Sequence, residues 1–129
     1  MKTHAPSTST EPWVRRALQA CLDKKGLDLL ALDVRGRSPV TDYFLLVTGN
    51  NPPHLKALAN EVERVMKADG LRVYRRSGTP DSGWLVLDFL DFVVHLFLPD
   101  PRKFYDLEHL WKDAPQLPVP TDAEPAGRF

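Results

Sequence analysis

Asp33, Asp42, Asp88 and Asp91 sit at or near the ends of apolar runs and are the first residues in this chain that could do chemistry. Two acids at alternate positions of a strand that follows a Gly-Ser turn would hold a Mg²⁺ pair and support nucleotidyl transfer, because side chains two residues apart point the same way. Gly36-Arg37-Ser38 approximates the turn. The run after it, Tyr43-Phe44-Leu45-Leu46-Val47-Thr48, contains no acid, so the metal would lack ligands. Capping of turns is the simpler role for the four carboxylates. His4, His54, His95 and His109 lie far apart without the paired spacing of a zinc site, and Cys21 is the only thiol. Neither a metal nor another cofactor is expected, and the chain reads as non-enzymatic.

The remaining polar clusters suit binding better than catalysis. Gly49-Asn50-Asn51 precedes a helix as a phosphate cradle would, but Pro52 and Pro53 remove two of the N–H donors that an anion needs, so capping is the better account. Arg72, Tyr74 and Arg76 share one face of a predicted third strand. They either touch RNA phosphates or an acidic partner, or guard a solvated edge strand with charge. Trp84, Val86 and Asp88 share one face of the fourth strand, while Leu85, Leu87 and Phe89 share the other. With a short turn the first set lies beside Val93, His95 and Phe97. Trp84 among aliphatic and polar neighbours reads as a protein-binding patch, or as a second core layer covered by Tyr105 and Trp111.

These residues need a scaffold. The chain has 129 residues, enough for one domain with a conventional core. Its 17 basic and 17 acidic side chains balance, which disfavours general nucleic-acid binding because phosphate affinity comes from neutralising charge. A lone cysteine fits a reducing compartment, and no apolar block signals export or a membrane span, so a cytoplasmic location is expected. Residues 1–10 are read as a flexible leader, 11–113 as the domain and 114–129 as a Pro-rich extended or disordered tail.

Helical spacing predicts a first helix from Glu11 to Lys24, with Cys21 in its buried stripe. A second runs from Asn51 to Gly70, with Glu63 and Lys67 paired on its wet face. Five strands are expected at 29–34, 43–48, 71–76, 84–89 and 92–98, followed by a short helical piece from Pro101 to Leu110. The fold class is α/β, a five-stranded mixed sheet with its helices mainly on one face.

Three stretches then read as one pattern: ALDVRGRSPVTDYFLLVTGNN at 31–51, HLKALANEVE after it, and GWLVLDFLDFVVHLFLPDPRKFYDLEHLWKDAP at 83–115. The pairing of D-V-R-G-x-S-x-x-T-D-Y-F with W-x-x-x-D-x-x-D-x-V-V-H and F-Y-D-L-E-x-L-W resembles the ribosomal silencing factor, or Iojap-related, family from about Val14 to Pro115. The resemblance implies a nucleotidyltransferase-like topology without the catalytic acids. It implies binding to the large ribosomal subunit through its fourteenth ribosomal protein, which blocks joining of the small subunit and represses translation under nutrient limitation, and homodimers of the isolated protein.

Carried over to this chain, the partner-facing set is Trp84, Asp88 and His95 on the sheet, with Tyr105, Asp106, Glu108 and Trp111 from the closing segment. Arg72 and Arg76 form a secondary basic patch suited to ribosomal RNA. The alternatives are a nucleotidyltransferase-like enzyme that needs Asp88, and an RNA-binding ribosome biogenesis factor that uses the arginines. One departure stands out: the family usually has Gly before Asp91, where this chain has Leu90. A two-residue turn with positive φ would penalise Leu, so a different turn is expected.

Overall fold

Two helices and a mixed sheet account for most of the chain in the computed structural model, which describes residues 10–121. α1 spans Glu11–Asp23, with Pro12 in its first turn and Val14, Ala17, Leu18 and Cys21 buried. α2 spans Pro52–Ala68; the Asn51 side chain accepts from the His54 N–H, and Leu55, Leu58, Ala59, Val62 and Met66 are buried. The two prolines at the start of α2 forfeit only N–H groups that have no helical partner. Both helices match their expected positions because apolar period and stop agree, with Asn51 adding a side-chain cap to α2.

The sheet has six strands rather than the expected five: β1 Leu27–Asp33, β2 Tyr43–Thr48, β3 Arg75–Thr79, β4 Trp84–Asp88, β5 Phe92–Phe97 and β6 Gln116–Leu117, in the order β3-β4-β5-β2-β1-β6. Only β2 and β5 pair in parallel. The strands joined through α2 are not neighbours, since β4 and β5 lie between β2 and β3. β6 pairs with β1 past the expected domain end at Asp113, with Ala114 buried beside it, so the sheet reaches into the Pro-rich tail. Residues 1–9 of the expected leader and 122–129 of the tail lie outside the described residues.

The third strand lies further along than expected, at Arg75–Thr79 rather than 71–76. Gly70 leaves α2 at φ +89°, and residues 71–73 connect the helix to the edge before pairing begins. Arg72 is therefore not in a strand and does not share a strand face with Arg76.

Alternation divides the sheet into two faces. Ala31, Leu45, Val47, Leu85, Leu87, Val94 and Leu96 pack under α1 and α2. Leu32, Leu46 and Phe97 form the second face with Ala114, backed by Phe44, Trp84, Leu107 and Trp111. A closing segment, α3 Pro99–Tyr105 and α4 Leu107–Leu110, is broken at Asp106, whose φ is +44°. No described helix is long and apolar enough to cross a membrane.

Candidate functional site

The β4–β5 hairpin creates the centre of the site by register alone. Trp84 stands opposite Phe97, Val86 opposite His95, and Asp88 opposite Val93. This is the short-turn register, and it sets Trp84 diagonally from His95, within reach of a large side chain. The indole N–H donates to His95 Nδ1 at 3.1 Å. The Trp84 ring also stacks on Phe97 at 5.0 Å and meets Tyr105 at 4.5 Å. Phe44 carries His95 on one side and Trp111 on the other, both edge-on at 5.3 Å. Trp84, His95, Tyr105 and Trp111 thus belong to one aromatic layer. The layer is in part the second core layer, as one reading of this face expected, and its rim is open, with Phe104 80% and Tyr105 48% exposed.

His95 is a supporting member of that layer. Its ring is buried, Nε2 has no hydrogen-bond partner among the described residues, and burial pushes its pKa down to about 4. Because Nδ1 accepts from Trp84, the neutral ring carries its proton on Nε2.

The acidic members divide. Glu108 pairs with Arg102 at 2.9 Å, and Asp106 caps α4 through the His109 N–H at 3.3 Å. Both shape the closing segment. Asp88 lies at the other end of β4, where its carboxylate accepts from the Leu90 N–H at 2.7 Å. The turn beyond it is the two-residue kind, closed by Phe89 and Phe92, and Leu90 adopts φ +73°. The turn type does differ, as expected: the Asp91 N–H donates to the Phe89 carbonyl at 2.9 Å, which makes a γ-turn centred on Leu90, so the length stays short and Leu90 occupies a conformation that suits Gly. Leu90→Gly is expected to raise stability by about 1 kcal/mol, since a left-handed conformation costs a Cβ-bearing residue about that much. A denaturation midpoint equal to or below wild type would reject this.

Sequence spacing does not single out Arg102. Its side chain is 11% exposed and binds Glu108, the Asp28 carbonyl at 2.7 Å and Thr48 Oγ1 at 2.8 Å. Asp28 sits in the β1 irregularity at φ +49°, so one guanidinium ties the closing segment to the bulge and to the end of β2. Arg102→Met should cost about 2 kcal/mol, because bonds to a charged donor are worth more than neutral ones. A urea titration measures the loss, and amide exchange should show α3 loosening first. Unchanged exchange there would make the tie idle.

The other carboxylates have structural partners. Arg35 holds the Asp33 carboxyl below its ordinary range through hydrogen bonds at 2.5 and 2.8 Å. The backbone of Asp42 joins Val34 and Asp91. Cys21 is fully buried and its thiol is pushed up to about 12, which fits core packing rather than reactivity. On α2, Glu63 pairs with Arg76 at 2.7 Å, not with Lys67 as the helical spacing suggested.

Against this geometry the comparisons are decisive. The family model "RsfS: Ribosomal silencing factor during starvation" matches residues 6–128. The chain belongs to this family. The ribosomal silencing factor RsfS of Bacillus subtilis is 42% identical over 99 residues, which cover 77% of this chain and 84% of the relative. That of Halalkalibacterium halodurans is 36% identical over 84% of this chain and 93% of the relative. A crystal structure of a Chromobacterium violaceum protein superposes with a TM-score of 0.76 at 32% identity, covering 79% of this chain and 85% of that one. Membership of the RsfS family supports a general role in ribosomal silencing.

Proposed function

We propose that this protein silences ribosomes by occupation rather than catalysis: it docks on the fourteenth ribosomal protein of the large subunit and sterically keeps the small subunit away. The observation that carries this reading is the aromatic layer of Trp84 and Tyr105 over the buried Phe97 ring, continued outward by the exposed Phe104 ring. Clustered aromatic anchors are the usual energetic centre of a protein interface, and a chain with balanced charge can reach the ribosome through such a surface. Repression under nutrient limitation and pairing of the free protein with a second copy belong to the same proposal, as does a nucleotidyltransferase-like topology without the catalytic acids. An enzyme using Asp88 has less support, because that carboxylate caps the Leu90 N–H and no group of three or more potential metal-ligating side chains forms among the described residues.

Separated subunits mixed with this protein and then sedimented should yield fewer whole ribosomes than subunits alone; an unchanged profile rejects blocked joining. Large subunits that lack the fourteenth protein should fail to retain the chain. Retention there would move the docking site to another component.

A further inference from the structure

The balance of charge over the whole chain is not kept locally. Between α2 and the segment that enters β3 lies a groove of about 440 Å³, lined by Asn60, Glu63, Arg64, Lys67, Arg72 and Val73. Its acids are already matched. Arg76 takes Glu63 at 2.7 Å and also reaches Asn60, while Arg64 takes Glu61 at 2.7 Å. No acid among the described residues pairs with Lys67 or Arg72, so these two cations are the excess charge of the groove. The next residue after Val73 is Tyr74, 61% exposed, with the Arg75 guanidinium 6.0 Å from its ring centre.

α2 packs on the sheet face opposite Trp84, so this groove and the aromatic layer open on different sides of the molecule. A partner held by one leaves the other free. Resting on the reading that the protein sits on the large subunit, we propose that the groove takes the phosphate backbone of ribosomal RNA. Lys67 and Arg72 contact phosphates, and Tyr74 with Arg75 offers a stacking platform for an unpaired base. RNA fits better than an acidic peptide because unpaired cations beside an exposed aromatic ring match the two features of single-stranded RNA, charge along the backbone and flat bases. This RNA contact adds a second attachment point to the protein contact proposed above, and gives an otherwise neutral chain a salt-sensitive component.

The test compares wild type with the double variant Lys67→Ala/Arg72→Ala on intact large subunits and on the isolated fourteenth protein, over a range of salt. Two lost phosphate contacts should weaken subunit binding roughly tenfold at low salt and make the plot of log affinity against log salt shallower by about 1.5. Affinity for the isolated protein should not change. Unaltered subunit binding, or an equal loss on both targets, overturns the proposal.

A photo-crosslinking phenylalanine analogue at Tyr74 should yield an RNA adduct on large subunits; a protein adduct instead would identify an acidic protein segment as the occupant and overturn it. Binding to bare large-subunit RNA keeps this test separate from the docking reading. If wild type fails to bind subunits, the docking reading falls. The groove is then upheld by salt-sensitive RNA binding that the double variant loses, and overturned if neither protein binds RNA.

Discussion

Trp84→Ala is expected to weaken binding to the large subunit by about 2 kcal/mol or more, roughly thirtyfold, and to destabilise the fold by about 3 kcal/mol. Both effects come from the same position. The indole holds His95 through its N–H, stacks on Phe97 and seats Tyr105. Removing it leaves a cavity in the second core and frees the closing segment whose rim is proposed to meet the partner.

Two further variants separate the contributions. Trp84→Phe keeps most of the apolar area and loses only the donor, so its stability should fall by about 1 kcal/mol. Tyr105→Ala removes a half-exposed ring with little effect on the second core, and should weaken binding more than it weakens folding. Isothermal titration against the isolated fourteenth protein, paired with thermal melting, reads the two effects independently. Wild-type affinity for a folded Trp84→Ala protein would make Trp84 a structural residue only.

The sequence exposed these relations unevenly, for physical reasons. Trp84, Phe97 and His95 could be placed on one face because strand alternation has a period of two and the β4–β5 connection is short. α1 and α2 were legible because each carries an apolar stripe of helical period with Pro in its first turn. β3 was displaced because Leu71, Val73 and Tyr74 look like strand residues, whereas the true strand, RRSGT, is exposed throughout and carries no alternation. β6 is two residues long within a Pro-rich stretch, below any periodic signal.

Arg102 could not be found by spacing either. Its partners lie 6, 54 and 74 residues away, and one is a backbone carbonyl in a bulge. The left-handed turn at Leu90 runs against the residue's own preference, so the surrounding hairpin, not local propensity, determines it.

His95 leads to the second large effect, a loss of stability in mild acid. Its ring is buried among Phe44, Trp84 and Phe97, and burial lowers its pKa from the ordinary 6.5 to about 4. Above pH 6.5 the imidazole is neutral in both folded and unfolded chains, so it contributes no pH dependence. Between 6.5 and 4 the unfolded chain binds a proton that the folded chain refuses, and stability falls with pH. Below 4 both forms are protonated and the loss levels off.

At about 1.4 kcal/mol per pH unit, the full span costs about 3 kcal/mol. Asp33 and Glu61 titrate too, but their arginine partners lower their pKa values, so their contributions disappear in a more acidic window. The difference between wild type and His95→Gln, measured by urea titration at several pH values, isolates the histidine. Wild type should lose its advantage as pH falls from 7 to 4. If the variant does not fold, an NMR titration of the His95 ring in wild type answers the same question. A midpoint near 6.5, or parallel stability curves, would mean that the ring is solvated and that Trp84 is not anchored through it. A depressed midpoint would make the Trp84–His95 hydrogen bond dependent on a neutral imidazole, because a doubly protonated ring has no lone pair left to accept the indole N–H.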